Sequence, residues 1–204
     1  MTKPSGMRRN LAHYGDADFS IFMRKAFLKA MGYSDDALDR PIVGIVDTAS
    51  GYNARHRNVP DLIEAASRGV MLQGGIPIPF PVISLQESFS HPTSMYLRNL
   101  MAMDAEEMIK AQPMDAVILL GGCDKTVPAL LMGAAGAGVP AIMLVTGPML
   151  TGSWRGERLG ACTDCRRFWA MYRAGEISDG EIAEINNELA PTVGICSVMG
   201  TAST

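Results

Sequence analysis

Ala116-Val117-Ile118-Leu119-Leu120-Gly121-Gly122-Cys123-Asp124-Lys125-Thr126 joins an apolar run to a polar turn, and a small-residue helical run, Val127 to Ala137, follows it. A short apolar run bounded by turn signals reads as a buried strand. A thiol, a carboxylate and an amine therefore stand side by side where a buried strand ends. In open α/β sheets, ligands bind outside the carboxyl ends of the strands. A soft thiolate next to a hard oxygen suggests a site for two kinds of metal.

Outward from this turn, strand and helix alternate. Phe19, Phe22, Met23, Ala26, Phe27 and Ala30 fall at helical spacing, with Gly32 as a stop. Pro41 opens a strand from Ile42 to Val46. Asn58-Val59-Pro60 starts a helix with Leu62, Ile63, Ala66 and Val70 on one face, broken by Gly74-Gly75. A second strand is predicted from Phe80 to Leu85 and a helix from Pro92, carrying Met95, Leu100, Met101 and Met108. Ala116 to Leu120 is the third strand and Ala141 to Val145 the fourth. Thr163 to Ala174 and Ser178 to Leu189 read as helices, and a linker is expected near residues 147 to 162. Short apolar runs between longer helices indicate α/β architecture: parallel strands, flanked by helices, joined by right-handed crossovers.

Composition bounds the function. The chain has 204 residues, is 48% hydrophobic, and carries 18 basic against 21 acidic residues for a net charge of -3. That balance gives no reason to expect nucleic acid or a membrane surface as partner. The basic start MTKPSGMRRN has no apolar stretch after it, and no run approaches the roughly 20 apolar residues that span a bilayer. A cytoplasmic protein is expected. Its four cysteines, Cys123, Cys162, Cys165 and Cys196, then read as metal-binding or free rather than disulfide-bonded.

Three polar segments share one address. Asp47 to His56 follows the first strand, Gln86-Glu87-Ser88 the second, and Cys123 to Lys125 the third. Parallel strands put all three at one edge of the sheet. The plain alternative is that surface loops are polar anyway.

These residues resemble a known family. GGCDKT, the segment SLQESF followed by PTSMYLRNLMAMDAEE, and the ending GICSVMGTAST are similar to the dihydroxy-acid and sugar-acid dehydratases, from about Arg24 onward. The resemblance implies the N-terminal portion of a two-domain dehydratase, with an iron–sulfur cluster, 2Fe-2S rather than 4Fe-4S, and Mg²⁺. It implies removal of water from a 2,3-dihydroxy carboxylic acid to give a 2-keto acid. By the same resemblance Cys123 and Cys196 are cluster cysteines, and Glu87 and Asp124 are Mg²⁺ carboxylates. Lys125 becomes a Mg²⁺ ligand once carbamylated; an unmodified ammonium has no lone pair to offer. A salt bridge from Lys125 to Asp124 is the structural alternative, and a buried apolar thiol that for each cysteine.

One departure matters. The family carries its first cluster cysteine after the first strand, in a pattern like N-x-C-H. This chain reads Asn53-Ala54-Arg55-His56. Arg55 cannot ligate iron, because a guanidinium is donor-only. His56 could offer nitrogen, as histidine does in Rieske centres, but the plainest expectation is a cluster weakened or absent. Cys162 and Cys165 form a lone C-x-x-C, more structural than metal-binding, and are expected outside the cluster site. His13 and His91 are isolated, and Trp154 and Trp169 are expected to pack.

Family members are much longer, and their later part supplies a further Mg²⁺ carboxylate and a serine base. The expectation is thus a partial N-terminal domain over 1–204, with a parallel-sheet unit over about 40–146 and a helical segment over about 160–190. The C-terminal domain is absent, and the fragment is expected to be inactive alone. Glu87, where branched-chain enzymes more often show aspartate, leans the substrate towards a sugar acid. The full-length protein is expected to form a homo-oligomer. Two rivals remain: a catalytically dead remnant that only folds or associates, and a nucleotide-binding α/β domain. The second lacks both G-x-G-x-x-G and G-x-x-x-x-G-K-[ST].

Overall fold

The computed structural model describes residues 5–11 and 14–196, and for Leu38 and Cys162 the backbone alone. His13 and the closing Met199-Gly200-Thr201-Ala202 motif lie outside the described residues.

Aliphatic runs too short to make helices pair instead into one parallel sheet. Its strands are β1 (Ile42–Asp47), β2 (Ile76–Pro81), β3 (Ala116–Gly121) and β4 (Ala141–Val145), in the order β2-β1-β3-β4. Helices α1 (Ala17–Ala30), α2 (Val59–Leu72), α3 (Ser94–Ala111) and α4 (Thr126–Ala137) surround it. Side chains alternate across a strand, and the two faces divide accordingly. Ile42, Val46, Val117 and Leu119 face α1, α3 and α4 through Leu28, Ile109 and Leu130. Ile45, Ile118 and Leu120 face α2 through Val59, Leu62 and Ala66. On that second face β4 is left bare, with Ile142 64% exposed.

The second strand is earlier than the sequence reading has it. It covers Ile76–Pro81, and Val82 to Leu85 is loop. Pro77, Pro79 and Pro81 look like strand breakers. Only the intervening residues donate towards β1, however: Ile76 to the Pro41 carbonyl at 2.9 Å and Val82 to that of Asp47 at 3.1 Å. The proline nitrogens point off the sheet, the one place an edge strand tolerates them.

The expected linker at 147–162 is also structured. Strands β5 (Gly152–Trp154) and β6 (Glu157–Leu159) form an antiparallel hairpin. Its turn uses Arg155 and Gly156, at φ 51° and 82°, the pair of positive angles that a tight two-residue hairpin demands. The hairpin packs on α5 (Ala161–Arg173) and α6 (Asp179–Glu188), making a second small core of Leu159, Phe168, Ile177 and Ile185. Trp154 meets Phe168 edge to face at 5.5 Å. Trp169 packs less than expected and stays 55% exposed. A reciprocal capping box, Ser178 with Glu181, starts α6.

The closest helix contact is between α3 and α4, where a Cβ on Gly133 would meet the Ala102 carbonyl oxygen at 2.7 Å. Gly69 in α2 would meet nothing within 4 Å. Gly133→Val should therefore cost about 1–3 kcal/mol through overpacking. Gly69→Ala should gain up to about 1 kcal/mol from helix propensity. Urea midpoints of the two variants should move in opposite directions.

Candidate active site

The strand order reverses between β1 and β3, so the loops after these strands border a switch-point crevice, the usual ligand position in such sheets. Three buried contacts fix the loops to each other. Thr48 Oγ1 donates to the Leu120 carbonyl at 2.8 Å. The fully buried His56 imidazole spans the gap: the Gly122 N–H lies 2.9 Å from Nε2 and the Thr48 carbonyl 3.0 Å from Nδ1. The Gly122 carbonyl also lies 2.9 Å from Nε2 and Asn53 Nδ2 3.0 Å from Nδ1, so both ring nitrogens are within hydrogen-bond reach of buried partners in either neutral tautomer. Burial holds the His56 pKa below its usual value, although its bonds to Gly122 and Thr48 pull the other way. His56, expected as a possible nitrogen ligand, is here held by hydrogen bonds at both ring nitrogens.

Gly122 makes this approach possible. A Cβ there would lie 2.3 Å from Thr146 Oγ1 and 2.6 Å from Ile195 Cγ1. The next residue, Cys123, sits at φ 84°. A non-glycine residue in that region costs of order 1–3 kcal/mol and clusters at functional sites. The thiol is buried, 3.7 Å from Thr126 Oγ1. The backbone then enters α4 directly.

The charges converge next door. Lys125 Nζ, with only 8% of its side chain exposed, bonds Asp124 Oδ2 at 2.9 Å and also Glu87 Oε2. Glu87 arrives from the loop after β2, Asp124 and Lys125 from the turn after β3. Burial alone would lower the Lys125 pKa, but hydrogen bonds to Glu87 and Asp124 outweigh it and the net shift is upward. Two carboxylates directed at one cationic atom form a donor set of hard oxygens, the set that Mg²⁺ takes.

A cavity of about 420 Å³ opens beside this pair, lined by Arg55, Glu87, Lys125, Cys165, Arg166 and Cys196 among others. Cys196 returns to it because the chain at 195 runs beside β4's exit: Ile195 N–H donates to the Gly147 carbonyl at 2.8 Å, and Met149 N–H to that of Ile195 at 2.9 Å. Cys165, expected outside the site, lies on this same wall, as does Arg166. Helical spacing holds the missed signal: Cys165 is one turn before the core residue Phe168, so it faces inward. A second, mostly apolar cleft of about 470 Å³, lined by Cys165, Phe168, Trp169, Ile182, Asn186 and Leu189 among others, has no charged side chain in its lining. His91 is exposed and remote from the cavity lining.

For an iron–sulfur cluster the fit fails. Arg55 brings donors only and His56 is engaged. Among the described residues, no three of the metal-ligating types come together as a metal-holding group.

The structure is an α/β domain with a parallel sheet, helices on both faces and a polar cavity with paired carboxylates at the carboxyl edge of its strands. Comparison gives the family. A family model described as dihydroxy-acid/6-phosphogluconate dehydratase N-terminal matches residues 40–204, and the chain belongs to this family. It is 42% identical over 190 residues to the L-arabinonate dehydratase of Rhizobium leguminosarum bv. trifolii, covering 93% of this chain and 33% of the relative. It is 40% identical over 170 residues to the 6-deoxy-6-sulfo-D-gluconate dehydratase of Pseudomonas putida, covering 83% and 29%. A dihydroxy-acid dehydratase of Lachnoclostridium phytofermentans is 34% identical over 184 residues, covering 88% and 33%. The chain thus spans about a third of the length of the relatives it matches. No described helix is long and apolar enough to cross a membrane.

His56 makes stability pH-dependent. The unfolded chain titrates near the ordinary histidine pKa of about 6.5, the folded chain lower. Below about pH 6.5 the unfolded state binds a proton that the folded state refuses. Stability should therefore fall with pH from there down to the folded pKa, by at most about 1.4 kcal/mol per pH unit. Denaturant unfolding at several pH values between 7.5 and 5.5 measures this. His56→Gln should be less stable at pH 7.5 and show a flatter slope.

Proposed function

We propose that this chain forms the metal-binding part of a hydro-lyase that dehydrates a 2,3-dihydroxy carboxylic acid, a sugar acid rather than a branched-chain acid, to a 2-keto acid. The observation that carries the reading is the convergence of Glu87 and Asp124 on one buried cationic atom at the switch point of a dehydratase-family domain. Relatives named for arabinonate and sulfogluconate support the sugar-acid side.

Glu87 and Asp124 hold the cation, and Lys125 would add a third oxygen donor on conversion to its carbamate. A Mg²⁺ ion held there would supply Lewis acidity, favouring loss of the C2 proton of a 2-hydroxy acid and offsetting the negative charge that develops. Before it binds, Lys125 balances the two carboxylates and keeps them from repelling each other. The strained turn at Cys123 and the His56 brace hold Asp124 and Lys125 against the cavity. Gln86 and Ser88 line its wall.

No step is routed through an iron–sulfur cluster, because Arg55 stands where the resemblance asks for a cysteine. Cys123 and Cys196 are buried thiols. Among the described residues of the lining we assign no C2 base: Arg55, Lys125 and Arg166 are cations, Glu87 is engaged with Lys125, and the remaining polar groups are the thiols of Cys165 and Cys196 and the neutral Gln86 and Ser88. The 204-residue chain alone is accordingly inactive. The competing reading, a folded remnant without chemistry, rests on the same Arg55 and is separated from this one by metal binding.

Three measurements test the proposal. Titration with Mg²⁺ should detect binding to the chain, and Asp124→Asn or Glu87→Gln should weaken it at least about tenfold, the scale of losing metal-site support. Unchanged affinity would remove the metal site. After anaerobic reconstitution the chain should hold little iron, and Arg55→Cys should raise its iron content. Equal iron in both would mean that position 55 is not a ligand position. Assayed alone on sugar acids and 2,3-dihydroxyisovalerate, the chain should form no 2-keto acid, since a missing base costs about 10²–10⁴-fold. Turnover abolished by Asp124→Ala would show a complete site instead.

A further inference from the structure

Two arginines stand next to each other on α5 and have opposite surroundings. Arg167 is fully engaged: its guanidinium pairs with Glu157 at 2.7 Å and Asp164 at 2.9 Å and lies over the Phe168 ring at 4.2 Å. Arg166 lines the cavity that Glu87 and Lys125 line. It makes no ion pair among the described residues, and both carboxylates nearest the metal position are committed to Lys125. The lining of that cavity also includes an unused acceptor, since Gln86 Oε1 is buried without a partner while its Nε2 reaches Ser88 Oγ at 3.4 Å.

We infer that Arg166 is the residue that selects substrate by its end remote from the metal, donating to hydroxyl oxygens there. A guanidinium offers five donors in a fixed fork. A hydroxyl group gives and accepts, so it suits a wall that carries an unused donor and an unused acceptor. A chain end made of methyl groups would desolvate the guanidinium and return nothing, and a site built for a hydroxyl rejects the analogue lacking it. An all-acceptor group such as a phosphate would meet Arg166 but leave the Gln86 oxygen unpaired. Acids whose carbon chain continues in hydroxylated carbons are therefore preferred. The inference rests on the proposed dehydratase site and adds to it the side chain that reads the far half of the substrate. Arg166 is exposed and supports no core contact, so its replacement leaves the fold intact.

Binding decides it, without turnover. Calorimetric titration of the 204-residue chain in Mg²⁺, with circular dichroism on each variant, would use L-arabinonate and 2,3-dihydroxyisovalerate as probes. Wild type should prefer L-arabinonate. Arg166→Gln should lose about 10- to 100-fold in affinity for L-arabinonate, the range for a hydrogen bond to a charged group, and less than about threefold for 2,3-dihydroxyisovalerate. Arg166→Lys, keeping the charge without the fork, should recover only part of the loss. Wild-type binding of L-arabinonate that Arg166→Gln leaves unchanged overturns this inference alone. An equal loss for both acids overturns it too, because Arg166 would then attract any anion. Failure of wild type to bind either acid overturns this inference and the site reading beneath it together.

Discussion

One imidazole holds the two halves of the crevice in register. His56 sits in the loop after β1, yet its Nε2 is hydrogen-bonded to the backbone of Gly122 in the turn after β3, and its Nδ1 lies 3.0 Å from the Thr48 carbonyl in its own loop. Asn53 closes the arrangement by capping the short turn at Arg55 and reaching Ser84 Oγ at 3.1 Å, which ties in the loop after β2. All three segments that carry site residues therefore hang on one buried, neutral, fully satisfied network. Such networks specify a single arrangement when every member is satisfied. The strained Cys123 and the Lys125 ion pairs lie directly downstream of it.

This brace also explains why the site tolerates so much local charge. A buried ammonium beside two carboxylates is costly unless geometry is fixed, because desolvation offsets the attraction. Rigid loops supply that geometry. The resulting triad is closed on itself, while the guanidinium groups of Arg55 and Arg166 line the same cavity and give it a cationic side.

Much of this was legible in the sequence. The runs Ile42 to Val46, Ala116 to Leu120 and Ala141 to Val145 announced their strands because nothing competes with burial there. The convergence of Glu87, Asp124 and Lys125 followed from parallel strand order alone. Strand β2 was misplaced because prolines at 77, 79 and 81 argue against any strand until its edge position is known. The hairpin at Gly152–Leu159 was passed over because each strand is three residues long, too short for a period. Cys165 and Arg166 needed the packing angle of α5, which depends on Trp154 and Phe168 meeting across sequence-distant elements. The bracing contacts of His56 were not legible, because its burial depends on two sequence-distant loops closing over it.

The alternating prolines of β2 give the sheet a direction. On that margin every outward backbone position of the strand that could donate is instead a pyrrolidine nitrogen, so a passing strand finds no ladder to join. The other margin, Ala141–Val145, contains no proline and leaves Ile142 uncovered. The sheet is thus sealed on its left and open on its right, like a zipper with one end stop. Any strand added to it, whether from the same polypeptide or another, has a single place to dock and a single neighbour to read its register from.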